Sequence, residues 1–114
     1  MANIFITKLN NIIFTFANSN GCLEIRAENT IKSMKWVIYY NIEEINKMYR
    51  YKFNDVDEFI NYIKKLFSNK RVKKFFKLKK DKLQLFIKYR SQKSKISKIL
   101  LKHYLFRFRD HNKM

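Results

Sequence analysis

The chain has 114 residues, of which 26 are Lys or Arg and 9 are Asp or Glu, so its formal net charge is +17. A hydrophobic content of 46% excludes a fully disordered chain, and the length predicts one domain spanning residues 1–114. Residues 1–57 carry seven basic and six acidic side chains, whereas residues 58–114 carry nineteen basic and three acidic ones. The second half is therefore the expected contact surface for a polyanion.

The chain has few residues that could form crosslinks or hold metals. Cys22 is the only cysteine, which excludes an internal disulfide, and with only His103 and His111 beside it we expect no metal and no cofactor. No apolar run reaches the ~18 residues of a membrane span, and no signal peptide opens the sequence, so no membrane partner is expected. The bias toward Phe, Tyr, Ile, Asn and Lys fits an AT-rich organellar genome and suggests the mitochondrion.

The first thirty residues predict two hairpins. Apolar residues alternate with polar ones in three stretches, which is typical of half-buried strands: Ile4 and Ile6; Ile12, Phe14 and Phe16; Leu23, Ile25 and Ala27. Residues 18–21, Asn-Ser-Asn-Gly, predict the second turn because Gly21 adopts positive φ without steric cost. Residues 9–11 predict the first turn, where Asn10 and Asn11 either satisfy the backbone or contact RNA.

The middle of the chain contains one clear helix. Residues 30–51 combine strand-like and helix-like patterns, and both interpretations stay open. Residues 54–67 predict an amphipathic helix that Asn54 or Asp55 caps. Its apolar face consists of Val56, Phe59, Ile60, Ile63 and Phe67.

A basic segment follows at residues 68–82. Eight of the thirteen residues from Lys70 are Lys or Arg, and Val72, Phe75, Phe76 and Leu78 are interleaved with them. A solvated charge run is the common alternative, but adjacent phenylalanines among dense cations favour RNA contact.

The last third predicts a strand at 83–87, a basic helix at 91–104 and a short strand at 105–109. Ile96, Ile99, Leu100 and His103 would form the inner face of that helix. Three antiparallel strands followed by helix, strand, helix and strand predict an α/β fold: a three-layer domain with a mixed five-stranded sheet and ribonuclease H-like topology.

Residues 9–21, LNNIIFTFANSNG, resemble the signature of the ribosomal small-subunit protein eleven family. That signature has paired asparagines, alternating Ile and Thr, and a turn with Asp where this chain has Asn18. Residues 28–31 and Lys35, 82–88 and 105–112 are similar to later family segments. The chain departs from the family in lacking a Gly-Pro-rich loop and a long basic tail, and in having the basic insertion around 68–82.

The resemblance implies a structural, non-enzymatic component of the mitochondrial small ribosomal subunit, which binds rRNA at the platform beside neighbouring platform proteins and is not a homo-oligomer. The RNA-binding residues expected from the matching surfaces and from the basic segment are Lys8, Asn10, Asn11, Lys32, Lys35, Lys70, Arg71, Lys73, Lys74, Lys77, Lys88, Arg90, Lys93, Arg107 and Arg109.

Other function classes stay open. A ribonuclease H-like nuclease would gather Glu24, Glu28 and Asp110 around metals, although acids in so basic a chain more often serve solubility or ion pairs. A stand-alone RNA or DNA chaperone, or an anionic-membrane binder using the basic helix at 91–104, is the third class.

Overall fold

The computed structural model describes residues 3–49, 52–79, 82–89 and 100–108. Within these ranges the chain forms seven strands and two helices. In order they are β1 (Ile4–Leu9), β2 (Ile12–Ser19), β3 (Cys22–Asn29), β4 (Met34–Tyr40), α1 (Ile42–Tyr49), α2 (Val56–Ser68), β5 (Val72–Lys79), β6 (Lys82–Tyr89) and β7 (Leu100–Phe108).

The seven strands form one sheet in the order β1-β2-β3-β4-β7-β6-β5. Each neighbouring pair of strands is antiparallel. Among the described residues, three residue pairs, from Lys35↔Phe108 to Val37↔Phe106, join β4 to β7. The sheet therefore consists of a β1–β4 half and a β5–β7 half with a narrow junction.

The predicted α/β fold is wrong. The described chain contains a larger, wholly antiparallel sheet in place of a mixed five-stranded one, and both helices lie in the single connection between β4 and β5. The undecided segment 30–51 supplies β4 and α1, and the basic segment 68–82 supplies the edge strand β5. The crossover argument for parallel strands fails because β7, which follows the assumed second crossover, pairs with β6 in the antiparallel direction.

That predicted helix over 91–104 is wrong from residue 100 onward, where β7 begins, and residues 91–99 lie outside the described ranges. Leu101, His103 and Leu105 are register partners of Ile87, Leu85 and Leu83 on β6. Apolar residues in this stretch satisfy both helical and strand periods, and pairing with a buried strand decides between them. The predicted strands at 83–87 and 105–109 are confirmed within β6 and, up to Phe108, within β7.

Both predicted hairpin turns are confirmed. Asn20 and Gly21 adopt φ of 51° and 85°, a combination typical of a two-residue hairpin turn. The side-chain oxygen of Asn18 accepts a hydrogen bond from Gly21 N at 2.8 Å. Asn10 adopts φ of 56° in the turn between β1 and β2.

The helix predicted over 54–67 is also confirmed as α2. Asp55 caps it, since its carboxylate accepts a hydrogen bond from Glu58 N at 2.9 Å, and Glu58 accepts in return from Asn54 N at 2.6 Å. α1 begins with a reciprocal cap, in which the side chains of Asn41 and Glu44 each accept a hydrogen bond from the other residue's backbone N.

The core lies between α2 and the inner face of the curved sheet. Phe76 on β5 contacts Phe14 on β2, with 6.3 Å between ring centroids, although these strands are far apart in the sheet order. Phe67 of α2 contacts Phe5 and Phe16. The most deeply buried side chains come from β2, β3, β4, α1, α2 and β6: Ile12, Phe14, Phe16, Leu23, Ile25, Trp36, Ile45, Phe59, Ile60, Ile63, Leu83 and Leu85.

Gly21 provides a test of the hairpin turn. A Cβ at this position would meet no atom within 4 Å, so the cost of Gly21→Ala is conformational and comes from φ of +85°. We expect Gly21→Ala to lower the free energy of unfolding by about 1 kcal/mol. Gly21→Asn should lower it less, because Asn tolerates the left-handed region. Urea unfolding measures both, and equal losses would contradict this account.

Candidate nucleic-acid interface

The strongest candidate site is the antiparallel pair formed by β5 and β6, here called the β5–β6 ribbon. Period-two alternation sends Val72, Leu83, Leu85 and Ile87 into the core. The opposite face carries exposed Lys73 and Lys77 with half-buried Phe75 and Phe86 between them. Strand alternation therefore places two of the cations and two of the rings together on one outer face.

Phe75 and Phe86 form a stacked pair at the centre of this face. They are register partners, their ring centroids are 4.9 Å apart, and their planes differ by 5°. The ammonium of Lys73 lies 5.6 Å from the centroid of Phe75, and that of Lys77 lies 5.6 Å from the centroid of Phe86. Both distances fall within the range of cation–π attraction. The four side chains, here called the Lys–Phe cluster, present two aromatic rings and two positive charges together.

The strand register concentrates like charge on the ribbon. It sets Lys73 opposite Lys88 and Lys79 opposite Lys82, an arrangement that is destabilising in a sheet. The sequences of β5 and β6 contain no Asp or Glu that could offset this repulsion. In the described residues the salt bridge is between Arg26 and Glu24, on β3. A bound polyanion would supply the missing counter-charge.

The basic residues around the start of β5 have different roles. Lys70 and Arg71 are exposed in the turn that leads into the ribbon, next to the Lys73 end. Lys74 points elsewhere, because its ammonium donates a hydrogen bond to the Asn69 carbonyl at 3.1 Å and lies 6.0 Å from the centroid of Phe67. Of the predicted residues on β5, Lys73 and Lys77 thus belong to the candidate interface, while Lys74 stabilises the start of the strand.

The predicted residues of the first half lie at one end of the β1–β4 half. Lys8, Asn10, Lys32 and Lys35 are exposed there, apart from the Lys–Phe cluster. Asn11 has a structural role: its amide nitrogen donates to Asn29 Oδ1 at 3.4 Å, and its carbonyl accepts from Thr30 N at 2.9 Å. For Asn11, these hydrogen bonds favour the structural interpretation over RNA contact.

The remaining predicted residues lie toward the C-terminus. Lys88 is on β6 and Arg107 is on β7, where it is the register partner of Trp36. Arg90, Lys93 and Arg109 lie outside the described residues.

The described residues give no support to a metal-dependent nuclease. Glu24 and Glu28 do lie on one face of β3, but Glu24 is paired with Arg26, and Asp110 is outside the described ranges. Within those ranges no three His, Cys, Asp or Glu side chains are grouped to hold a metal ion.

Burial and the nearby Glu44 carboxylate raise the pKa of Tyr40, which lies on β4 away from the ribbon. No described helix is long and apolar enough to cross a membrane.

Comparisons with known proteins show the fold and nothing further. The chain is similar to the head domain of human CCDC61. The similarity to that crystal structure has a TM-score of 0.67 and 13% sequence identity, and it covers 93% of this chain and 99% of the head domain. No family model matches the chain, and no curated protein matches its sequence. The antiparallel sheet with two helices between β4 and β5 is thus an architecture that occurs in a solved structure, and the ribosomal resemblance stays a prediction.

Sequence reasoning missed Phe86 as part of the interface and took Phe75 and Phe76 together as a sign of RNA contact, whereas Phe76 packs against Phe14 in the core. The signal was present, because Lys73, Phe75 and Lys77 alternate with inward-facing residues in KKFFKLK. Reading this segment as an insertion hid that alternation. Once β5 is recognised as a strand, its hairpin partner β6 brings Phe86 beside Phe75.

The stacked rings predict a measurable coupling. Phe75→Leu and Phe86→Leu each keep an apolar side chain but remove the ring. A double-mutant cycle on the free energy of unfolding should give a coupling of about 0.5–1.5 kcal/mol, the range for aromatic pairs. The same cycle between Phe75→Leu and Phe53→Leu, a ring outside the ribbon, should give almost none. Equal coupling in both cycles would contradict a direct interaction within the Lys–Phe cluster.

Proposed function

We propose that this chain is a non-catalytic RNA-binding domain that holds single-stranded RNA on the outer face of the β5–β6 ribbon. The observation that carries the proposal is the Lys–Phe cluster: two stacked rings, each with an ammonium 5.6 Å from its centroid, on two strands whose sequences contain no acids. Cations that track a backbone and aromatic rings that stack on bases are the two parts of a single-strand binding surface.

The cluster offers a binding mechanism. In the free protein, Lys73 and Lys77 lie over the ring faces. When RNA approaches, each ammonium can move on its flexible stem to a phosphate, because a charge-assisted contact is stronger than an exposed cation–π contact. The ring faces that the lysines leave are then open to bases. The bases of a duplex are already stacked on each other, so this exchange favours single strands.

This proposal keeps the RNA binding expected from the sequence and does not depend on the family resemblance. Membership of the mitochondrial small ribosomal subunit remains a prediction from the sequence. Phosphate contacts position a protein on RNA without reading its sequence, so little sequence preference is expected from the lysines.

Fluorescence anisotropy with a short single-stranded uridine oligomer tests the role of the rings. Phe75→Leu should weaken binding about tenfold, since base–aromatic stacking is worth ~1–3 kcal/mol per base. Binding to a duplex of the same length should change little. Thermal unfolding shows whether the variant is folded, and equal losses on both RNAs would contradict base stacking.

The salt dependence of the same binding tests the role of the lysines. Lys73→Gln together with Lys77→Gln should reduce the slope of log K against log salt by about 1.4, at ~0.7 per phosphate contact on a single strand. Lys64→Gln with Lys65→Gln is the matched control. These two substitutions remove the same charge from exposed positions on α2, outside the ribbon. If both pairs reduce the slope equally, binding follows net charge and the proposed interface is wrong.

A further inference from the structure

The exposed edge of β1 is the second unusual surface. β1 lies at one end of the strand order and pairs with β2. A hydrogen bond of 3.1 Å from Asn18 N to Asn3 O fixes the alternation of the ladder, so Phe5, Thr7 and Leu9 direct their backbone groups toward β2. The backbone groups of the intervening residues face the other edge, where no described strand pairs with them.

The side chains at this edge are apolar and exposed. Ile4 is 52% exposed and Ile6 is 61% exposed, on the outer face of the sheet. Lys8, at the end of the strand, is the single charged residue among the six of β1. An edge strand with unpaired backbone groups and exposed isoleucines is a template for the addition of another strand.

The opposite edge of the sheet is different. β5 has four lysines in eight residues, and charged side chains on an edge strand discourage pairing with other chains. The two edge strands of the sheet thus differ in charge. One is protected by charge, and the other is open.

The charge distribution identifies the partner that suits this edge. A second copy of a chain with net charge +17 is repelled most strongly by residues 58–114, whereas residues 1–57, which include β1, carry seven basic and six acidic side chains and are nearly neutral. Charges farther apart than a Debye length of ~8 Å at physiological salt are largely screened. The β1 side is therefore the side on which two copies can approach each other.

The sequence of β1 is also self-complementary. In an antiparallel pair of β1 strands centred on Ile6, Ile6 lies opposite Ile6 of the second copy, and Lys8 lies opposite Ile4. No like charges face each other. This register joins Ile4, Ile6 and Lys8, the residues whose backbone groups point away from β2, by hydrogen bonds to the same residues of the second copy. The two strands exchange about six backbone hydrogen bonds, two for each hydrogen-bonded pair of residues.

We propose that β1 pairs with β1 of a second copy about a two-fold axis at Ile6, which joins the two sheets into one. The interface is isologous and closes at a dimer. The β5–β6 ribbon takes no part in this pairing. The dimer does not rest on the proposed RNA binding, and it departs from the sequence-based expectation of no homo-oligomer.

Sedimentation of the full chain, free of nucleic acid, over a concentration series tests the dimer. The wild type should dimerise more tightly at high salt, because salt screens repulsion and leaves strand pairing intact. RNA binding has the opposite salt dependence, so the two proposals fail independently. Ile6→Lys should weaken dimerisation at least tenfold, whereas Ile31→Lys should not, although Ile31 is 73% exposed in the turn before β4. A wild type that stays monomeric at high salt, or equal effects of both variants, would overturn the proposal.

Disulfide crosslinking tests the register in variants that keep the edge uncharged. In a Cys22→Ser background, Ile6→Cys should form a covalent dimer on oxidation, because hydrogen-bonded partners have Cα atoms ~5.5 Å apart, within disulfide range. Ile4→Cys should not, because the two Cα atoms of residue 4 would be more than ~10 Å apart. A covalent dimer through position 4, or no crosslink through position 6, would sink the pairing.

Discussion

The fold depends on the packing of α2 against the inner face of the curved sheet. Phe59, Ile60 and Ile63 of this helix are fully buried, and Phe67 near its end contacts rings on β1 and β2. The start of the helix is held as well, because Asp57 accepts a hydrogen bond from Asn18 Nδ2 at 2.9 Å. α2 thus connects the first hairpin to β5, which follows it directly. Without this helix the narrow β4–β7 junction would be the main link between the two halves of the sheet.

This arrangement separates the hydrophobic core from the positive charge. Strand alternation allows Val72 and Leu85 to complete the core while Lys73 and Lys77 lie on the other face of the same strands. The ribbon can therefore carry repelling lysines without placing a charge in the interior. The cost of that repulsion falls on the β5–β6 ribbon, far in the strand order from the buried strands β2 and β3. An anionic partner of the kind proposed above would relieve this repulsion.

Local structure could be predicted where one period dominates. The alternation of Phe14 and Phe16, the turn at Gly21, and the cap and apolar face of α2 all followed from the sequence, because short-range sterics and hydrogen bonds determine them. The stretch from Leu100 to Tyr104 was wrongly predicted to be helical, because its apolar residues suit a helix and a strand equally and pairing with β6 decides between them. The strand order could not be predicted either, since nothing in the sequence of β4 indicates that β7 is its neighbour. The interface was half predicted: its lysines follow from charge density, but the partnership of Phe75 with Phe86 needs the register.

The family resemblance is strongest over a stretch whose structure has physical causes of its own. Residues 9–21 contain β2 and the turns at its two ends, and the features of that stretch have their causes within the two hairpins of β1–β3. Asn10 occupies a left-handed turn position, Asn11 pairs with Asn29, and Gly21 provides a second positive φ. Any antiparallel sheet that needs a hairpin of this length selects the same residue types, whatever follows along the chain. A signature made of turn chemistry therefore identifies a hairpin well and a fold poorly, because the fold is determined by the distant partners that α2 and β6 bring to it.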